Sequence, residues 1–379
     1  MKLVFFVHSA VSDWNHGNAH FLRGLLSALA RAGHDVQSHE PRGGWSLENL
    51  LAEQGVPPVV AFARAYPEID VRAYPAHPPG ELADHVEQAT AGADAVIVHE
   101  WSSPELVAAV ARARRRSRFA LLFHDSHHRA WSDPAALQRL ELLAFDGALV
   151  FGEVLRGLYR VRLGVARSWT FHEAADVERF RPLERAPEQD VVWIGNWGGE
   201  ERSRELRAFW LSAARALPDL RFAAYGVRYP EPARADLRDA GIEFRGWAAS
   251  LRVPEIFAAS RATLHVPRRA YAEALPGIPT IRVFEALACG VPLVSAPWRD
   301  VEGLFRPRDL RRVDTPAEMV AALRELAGSE SARREQAERG LETIRARHTC
   351  AHRAEELLRI LEVVGRAGSD IGQREASCA

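Results

Sequence analysis

The chain has 379 residues, 49 of them basic and 50 acidic, and Lys2 is its only lysine. Enzyme classes built around a lysine are therefore excluded, among them P-loop nucleotidases, Schiff-base enzymes and protein kinases. The formal net charge of −1 argues against a dedicated nucleic-acid binder, and the length predicts two domains.

The number and spacing of the cysteines, together with the hydropathy, indicate the cellular compartment of the protein. Cys289, Cys350 and Cys378 are odd in number and far apart, a pattern typical of a reducing cytoplasm. The apolar run after Lys2 is too short for a signal peptide, and no stretch has the ~18 apolar residues of a membrane span. We therefore expect a soluble, cytoplasmic protein without a transmembrane segment, with a peripheral association with a membrane as the alternative.

Short apolar runs alternate with segments of helical period along the first half of the chain, which is typical of βαβ units and a parallel sheet. This pattern predicts strands at residues 3–7, 95–98, 119–123 and 148–151, with helices at 19–32 and 104–116. Residues 41–80 give no clear assignment.

A second series of the same kind follows a proline-rich, highly charged stretch at residues 173–189. Its pattern predicts strands at residues 191–194, 221–225, 263–266 and 292–295, and helices at 203–216, 253–259, 280–289, 318–327 and 332–364. Two α/β domains would then face each other across a cleft, and such sheets bind ligands beyond the carboxyl ends of their strands.

The segment PGIPTIRVFEALACGVPLVSAPWRD, residues 276–300, is the most informative. Thr280 can cap a short helix, and the backbone amides at Thr280 and Ile281 can hold a phosphate. Glu285, one turn into that helix, can accept two hydrogen bonds from a vicinal diol such as a ribose. The alternative is that Glu285 only complements the helix dipole.

Three segments of the sequence resemble segments of one family. FEALACGVPLVS (284–295) resembles the donor-site motif of the group 1 glycosyltransferases (family 4), especially the CgeB-like branch. HEAADVERFRP (172–182) is similar to the family's interdomain segment, and SDWNHGNAHFLRGLLSALARAGHDV (12–36) to its first strand–loop–helix. The resemblance runs from the first strand to residue 300.

The resemblance implies an α/β GT-B fold of two Rossmann-like domains, with the C-terminal helix returning to the first. The expected division is an acceptor domain at residues 1–172, a linker at 173–189, a nucleotide-sugar domain at 190–348, a C-terminal helix at 349–365 and a flexible tail at 366–379.

The implied activity is transfer of a hexosyl or related sugar from a nucleotide-diphosphate donor to a hydroxyl acceptor, metal-independent and with retention of configuration. The donor would be a UDP-sugar, with GDP- and TDP-sugars as alternatives, and no cofactor would be tightly bound. The acceptor would be a small molecule, a glycan or a lipid-linked molecule. A nucleotide-sugar epimerase or phosphorylase-like enzyme, and a non-catalytic nucleotide- or glycan-binding module, stay open as alternatives.

The same resemblance implies roles for individual residues of the donor site. Glu285 matches the second glutamate of the family's E-x₇-E motif, which resembles the one that binds ribose. The first glutamate falls on Gly277, and this departure leaves the donor sugar and the stereochemical course open. Arg282 would face the same site, or else be a solvated arginine on the helix surface.

The string VVWIGNWGGEERSREL, residues 191–206, resembles the family's diphosphate loop. Asn196 stands at the arginine position and Glu201 at the lysine position. With a shift of one residue, the diphosphate is assigned to Arg202. Arginine suits this role because its planar fork binds phosphate oxygens bidentately. With no lysine available, Arg268, Arg269 or Arg282 would add to this charge. The alternative for Arg202 is an exposed arginine in a first helical turn.

Two further loops complete the donor candidates. Residues 244–257 resemble the loop that reads the nucleobase, where Trp247 would stack on the base or else belong to the core. Residues 265–277 resemble a flexible loop ahead of the donor helix, so Arg268, Arg269 and Tyr271 are candidates for phosphate or sugar contacts. The alternative is that they are ordinary loop residues.

In the N-terminal half, His124 lies at a strand end where the family has a histidine at the meeting of donor and acceptor. A histidine there can hydrogen-bond the transferred sugar or stabilise the charge of the leaving phosphate. A metal site formed with Asp125, His127 and His128 is disfavoured by their near-contiguous spacing. Gly17, in the loop after the first strand, would bring its backbone amide to the donor.

Asp13 and His16, in the same loop, are the candidates for a base that deprotonates the acceptor. Turn and helix-cap roles are the alternative for Asp13. Five arginines in residues 111–118 form a solvated patch or, alternatively, a surface for an anionic acceptor or lipid.

Overall fold

The computed structural model describes the backbone of residues 1–377 and the side chains as far as Arg366. The chain divides into two compact units. Unit 1 contains Met1–Val11, Leu22–His172 and the chain from Cys350 onward, and unit 2 contains Ser12–Phe21 and Glu173–Thr349. Residues 378 and 379, at the end of the predicted tail, lie outside the described residues, and Cys378 with them.

Unit 1 is built on a seven-stranded sheet whose strands all run parallel. The strands are β1 (Lys2–Phe6), β2 (Asp35–Pro41), β3 (Asp70–Tyr74), β4 (Ala95–His99), β5 (Ala120–Asp125), β6 (Gly147–Val150) and β7 (Ser168–Thr170). Their order in the sheet is β3-β2-β1-β4-β5-β6-β7. All five residues of β4 are buried, as expected for a central strand of a parallel sheet.

Eight helices connect these strands. They are α1 (Ala19–Arg31), α2 (Trp45–Gln54), α3 (Pro57–Ala65), α4 (Pro79–Thr90), α5 (Pro104–Arg116), α6 (Arg129–Ser132), α7 (Pro134–Gln138) and α8 (Glu153–Arg162). The unassigned stretch at residues 41–80 therefore holds α2, α3 and β3.

Unit 2 contains a six-stranded parallel sheet. Its strands are β8 (Gln189–Ile194), β9 (Phe222–Tyr225), β10 (Ile242–Phe244), β11 (Ser260–His265), β12 (Leu293–Ser295) and β13 (Arg311–Arg312). Their order is β10-β9-β8-β11-β12-β13. Trp210 is fully buried in the core of this unit, with its ring 5.4 Å from that of Trp193.

The helices of unit 2 are α9 (Glu200–Glu205), α10 (Ser212–Ala216), α11 (Glu231–Asp239), α12 (Val253–Ala258), α13 (Ile281–Ala288), α14 (Pro316–Gly328) and α15 (Glu330–Arg347). A π-helical segment, Leu206–Leu211, joins α9 to α10. The last helix, α16 (Cys350–Ser377), belongs to unit 1, where it packs on β5. The predicted return of the C-terminal helix to the first half of the chain is thus confirmed.

The single helix predicted over residues 332–364 is wrong, because α15 and α16 are separate helices. His348 leaves the helical conformation, with φ −130° and ψ 41°. Its carbonyl accepts a hydrogen bond from Ala175 N at 2.9 Å, and its Nε2 lies 2.8 Å from Leu304 O. These tertiary contacts replace the helical continuation that the periodicity predicts.

Each sheet reverses its strand order once, between β1 and β4 in unit 1 and between β8 and β11 in unit 2. Open parallel sheets bind ligands beyond the carboxyl ends of the strands at such a reversal. Among the described residues, no helix is long and apolar enough to cross a bilayer.

Candidate functional site

The strand reversal of unit 2 lies between β8 and β11, and the predicted donor-site residues Asn196, Arg202 and Arg268 follow these two strands. The loop 195–199 follows β8, and the loop 266–269 follows β11. Arg269 connects the second loop to the residue that follows the first, since its Nη2 donates to Glu200 O at 2.9 Å. The carboxyl ends of the two central strands therefore share one set of polar contacts.

Arg202 is a buried cation in the first turn of α9. It is 9% exposed, its Nη2 donates to Asn196 O at 2.8 Å, and its guanidinium lies 5.7 Å from the centre of the Trp193 ring. Its Nε has no hydrogen-bond partner, and no described carboxylate lies within 4.0 Å of it. Burial, with a smaller effect of Arg268, lowers the pKa of Arg202 to about 10, so it remains charged near neutral pH.

The other arginines proposed for the donor phosphates all have carboxylate partners. Arg268 pairs with Glu201, and Arg282 pairs with Glu285. Arg269 Nη2 lies 3.0 Å from Glu205 Oε1. Because an unpaired buried charge is costly, Arg202 is the arginine in this group whose environment most favours an added anion.

The loop after β8 is shaped for close approach of its backbone. Gly198 has a φ of +74°, a conformation that favours glycine. A Cβ at this position would lie 3.3 Å from Arg202 Nε and 3.0 Å from Glu201 Oε1. Glycine therefore leaves room beside the guanidinium that any other residue would partly fill.

Asn196 connects this loop to its neighbours. Its Oδ1 accepts a hydrogen bond from Val227 N at 3.2 Å, beyond the end of β9, and its Nδ2 donates to Asn15 Oδ1. Asn196 thereby fixes the loop in place, and Arg202 is held through the Asn196 carbonyl.

The loop of residues 12–18 belongs to unit 2 and contacts the same site. Asp13 Oδ2 accepts a hydrogen bond from Ser250 N at 2.8 Å, and His16 N donates to Asp13 O at 3.2 Å. A Cβ on Gly17 would lie 3.7 Å from Ile281 Cγ2, so the glycine backbone lies against the start of α13. The structure thus brings Asp13, His16 and Gly17 into the unit that holds Arg202, while the base role of Asp13 and His16 stays a prediction.

Glu285 is the fifth residue of α13 and is only 2% exposed. Its Oε2 accepts a hydrogen bond from Arg282 Nη1, and its Oε1 lies 3.3 Å from His20 Nδ1. A carboxylate at this depth, outside the first helical turn, is held by specific partners rather than by the helix dipole.

The predicted side-chain cap of this helix is wrong. Thr280 occupies the N-cap position of α13, but its side chain makes no capping hydrogen bond. Its carbonyl instead accepts from Val283 N at 3.0 Å, so backbone groups close the first turn. The amides of Thr280 and Ile281 remain candidates for a phosphate.

Trp247 is partly buried and lies outside the described core cluster around Trp210. Its Nε1 is shielded from solvent and has no hydrogen-bond partner among the described groups. This leaves both a ring and a donor for the predicted contact with a nucleobase.

Gly277, where the resemblance implies a glutamate, has another carboxylate beside it. It has a φ of +92°, and its N donates to Arg299 O at 2.8 Å. A Cβ on Gly277 would lie 2.7 Å from Glu302 Oε1. Asp300 holds the turn that carries Glu302, because its two carboxylate oxygens each accept a backbone N–H at 2.9 Å.

His124 lies in unit 1, at the end of β5. Burial, with a smaller effect of His99, lowers the pKa of His124 to about 3, so the ring is neutral. It lies 5.6 Å from the His99 ring and 5.7 Å from Phe171. A neutral ring can form hydrogen bonds, but it cannot supply the positive charge that would stabilise a leaving phosphate.

His99 lies in the interior of unit 1, with its Nε2 2.9 Å from Glu100 Oε2. Asp125 is fully buried, and its Oδ2 accepts a hydrogen bond from Tyr159 at 2.7 Å. Within the part of the chain that the structure describes, no group of three or more histidine, cysteine or acidic side chains is arranged to hold a metal ion.

Three residues near the site were not predicted. His20 contacts Glu285, and Glu302 lies beside Gly277. His265, at the end of β11, is buried, with Nδ1 2.8 Å from Ser295 Oγ. His265 is the last residue of β11, and a histidine at a strand end is a signal that the sequence offers. His20 lies within an amphipathic helix, where the sequence offers no such signal.

Comparison with known proteins agrees with these observations. Residues 202–359 match the model of a family described as glycosyl transferase-like. No curated protein matches the chain significantly. The family match covers α9 to α16 and so includes Arg202 and Glu285.

Solved structures match nearly the whole chain. A sucrose-phosphate synthase from Thermosynechococcus elongatus is 14% identical with a TM-score of 0.70, covering 97% of this chain and 100% of its own. HepE from Anabaena, solved with UDP, is 14% identical with a TM-score of 0.66, covering 96% and 100%. An alpha-glucosyltransferase solved with UDP and a 13-mer DNA containing a HMU base is 11% identical with a TM-score of 0.68, covering 96% and 99%.

These matches confirm the predicted fold class: the two Rossmann-like sheets are those of GT-B glycosyltransferase structures. The family match supports a glycosyltransferase. The CgeB-like branch stays a hypothesis.

Proposed function

We propose that the protein transfers a sugar from a nucleoside-diphosphate donor, a UDP-sugar, to a hydroxyl group of an acceptor. Unit 2 holds the donor at the carboxyl ends of β8 and β11. The transfer needs no metal ion and retains the anomeric configuration, as the family resemblance implies.

The observation that carries this proposal is Arg202. A guanidinium that is 9% exposed, with an unpartnered Nε and no described carboxylate within 4.0 Å, is costly unless an anion completes it. A diphosphate supplies that anion, and the space left by Gly198 lets its oxygens approach.

The remaining donor groups have matching side chains in unit 2. Glu285 accepts hydrogen bonds from the ribose hydroxyls, and Trp247 lies against the base. Glu302 accepts hydrogen bonds from the sugar. Its negative charge is repelled by the diphosphate, so the neutral hydroxyl groups of the sugar are its suitable partners.

In the reaction, the bond between the sugar C1 and the diphosphate oxygen breaks, and a bond from C1 to the acceptor oxygen forms. The acceptor proton leaves and the nucleoside diphosphate is released. Arg202 stabilises the charge that develops on the leaving diphosphate. His124, Asp13 and His16 are the candidate groups for hydrogen bonding or proton removal on the acceptor side.

UDP is the proposed nucleotide because two of the structurally similar proteins were solved with it. The identity of the acceptor is open among small molecules, glycans and lipid-linked molecules. Binding constants for UDP, GDP, TDP and ADP, measured by isothermal titration, test the donor class directly. Absence of binding to all four would refute the proposal.

The role of Arg202 is tested with Arg202→Gln, matched by Arg215→Gln at an exposed arginine of α10. We expect about 30-fold weaker UDP binding for Arg202→Gln, roughly 2 kcal/mol, and no change for Arg215→Gln. Arg202→Lys keeps a charge without the planar fork and is expected to fall between them. Thermal melting establishes that each variant is folded.

An epimerase is distinguished by incubating UDP-glucose with the protein alone. An epimerase interconverts the donor, whereas a transferase at most hydrolyses it slowly. The anomeric configuration of a transferred sugar, read by NMR, decides between retention and inversion.

A further inference from the structure

A second surface, distant in sequence from the donor residues, lies on unit 1 around α7 and α8. A cavity of 420 Å³ opens there, lined largely by leucines. The apolar lining residues are Leu137, Leu140, Leu142, Leu143, Ala144 and Leu163, and the polar ones are Gln138, Glu141 and Arg162. A cavity with mostly apolar walls and a few polar groups is the usual form of a ligand site.

Two large apolar side chains project beside this cavity. Leu143 is 79% exposed and Val161 is 85% exposed, the highest values among the described large apolar residues. Single exposed apolar residues are ordinary, but here both belong to segments that meet at the cavity. A Cβ on Gly164 would lie 3.8 Å from Leu143 Cδ2, which shows that the two segments are in contact.

Three arginines lie close to these side chains in the sequence: Arg160 and Arg162 flank Val161, and Arg139 precedes Leu143. Arg139, Arg160 and Arg162 are all exposed, and none has a described carboxylate within 4.0 Å. Arg156 on the same helix does have one, with its Nη1 3.0 Å from Glu153 Oε2. Against these three arginines stands the exposed Glu141 of the cavity lining, so this surface keeps a positive balance in a chain whose formal net charge is −1.

We propose that this α7–α8 patch, made of Leu143, Val161, Arg139, Arg160 and Arg162, docks the protein on an anionic lipid bilayer. Leu143 and Val161 insert among the acyl chains, and the leucine-lined cavity accepts part of one chain. The arginines bind the headgroup phosphates. Exposed apolar side chains with an excess of neighbouring basic residues are the chemistry that anionic bilayers select.

The test is co-sedimentation of the full chain with vesicles of phosphatidylcholine alone or with an equal part of phosphatidylglycerol. We expect binding to the mixed vesicles only, weakening as salt is raised. Leu143→Ser with Val161→Ser should reduce the partition coefficient by about tenfold or more, since each loses a buried apolar side chain. Glutamine at all three patch arginines should reduce it by about 100-fold.

Two matched variants serve as controls. Val56→Ser with Val301→Ser changes apolar residues that are 60% and 61% exposed elsewhere, and should bind like the wild type. Glutamine at Arg112, Arg115 and Arg118 tests the arginine run at the end of α5 and just beyond it, and should also leave most binding intact. All substituted positions are exposed, so unchanged thermal melting is expected throughout.

Several outcomes would overturn the proposal. These are no binding to mixed vesicles, equal binding to phosphatidylcholine alone, or loss of binding only in the α5 variant. Sedimentation velocity supplies another: a wild-type dimer that becomes monomeric with Leu143→Ser and Val161→Ser would make the patch an interface between copies. The donor experiments with UDP are independent of all these results.

Discussion

His20 Nδ1 lies 3.3 Å from Glu285 Oε1, across 265 positions of sequence. Its Nε2 accepts a hydrogen bond from Asp176 N at 2.8 Å. Because a backbone N–H can only donate, the Nδ1 carries the proton and faces the carboxylate. Both side chains are nearly fully buried, and the contact between them is electrostatic, because His20 Nδ1 forms no hydrogen bond with a described group.

Replacing His20 should therefore weaken nucleotide binding through Glu285. We expect His20→Phe to weaken UDP binding about tenfold, roughly 1.4 kcal/mol, because Glu285 loses its orienting partner. It should also lower the free energy of unfolding by about 1–3 kcal/mol, because Asp176 N loses its acceptor. Isothermal titration and urea unfolding measure the two effects.

His20→Asn, which keeps a donor near the Nδ1 position, is expected to recover more of the binding than of the stability. If both substitutions lowered stability while leaving UDP affinity intact, His20 would have only a structural role.

The local pattern of apolar and polar residues along the chain was sufficient to predict most of the fold. Buried strands of a parallel sheet are continuous apolar runs, so β1, β4, β5 and β8 were predicted within a few residues. Short edge strands such as β10 and β13 were missed because they have too few apolar residues. The break at His348 was missed because it depends on Ala175, far away in the sequence.

The site was predictable only where its residues belong to a local motif. Arg202 and Glu285 lie within recognisable strings, and the structure gives each a buried, specific environment. The pairing of Arg268 with Glu201, and the approach of Glu302 to Gly277, join segments brought together by folding. No periodicity records such contacts, so these relationships had to come from the structure.

Stability should pass through a maximum near neutral pH. Burial, the largest cause in each case, lowers the pKa values of His99, His124 and His265 to about 3. The unfolded chain binds protons below pH ~6.5 that these folded histidines do not, so their contribution to stability is lost as the pH falls from ~6.5. Burial raises the pKa values of Glu100 and Asp125 to about 8, so their contribution is lost as the pH rises from ~4 to ~8.

Urea unfolding near pH ~5, ~6.5 and ~8.5 measures this balance, with the highest free energy of unfolding expected at the middle value. The variant Glu100→Gln with Asp125→Asn removes both buried acids and should flatten the fall on the alkaline side. A wild-type stability that rises steadily from pH ~6.5 to ~8.5 would contradict these pKa directions.

The proposed contact of Glu302 with the sugar predicts a difference between two ligands. Glu302→Gln should bind UDP as the wild type does, but should bind UDP-glucose about tenfold more weakly, since hydrogen bonds to a charged acceptor are the stronger ones. Glu273→Gln, at an exposed glutamate of unit 2, is the matched control and should change neither affinity. Equal weakening for both ligands would instead place Glu302 on the nucleotide or in the fold.

Gly277→Ala tests the same geometry from the opposite side. The new Cβ would lie 2.7 Å from Glu302 Oε1, at a backbone φ of +92°. Gly241→Ala is the matched control, because Gly241 has a φ of +70° but nothing within 4 Å of its added Cβ. Both variants should lose about 1 kcal/mol of stability from the backbone conformation.

Only Gly277→Ala should also displace the Glu302 carboxylate, and so weaken UDP-glucose binding relative to UDP. Titrating both ligands into both variants separates the backbone effect from the displacement. If Gly277→Ala and Gly241→Ala bound UDP-glucose equally well, the position of Glu302 beside Gly277 would have no part in donor binding.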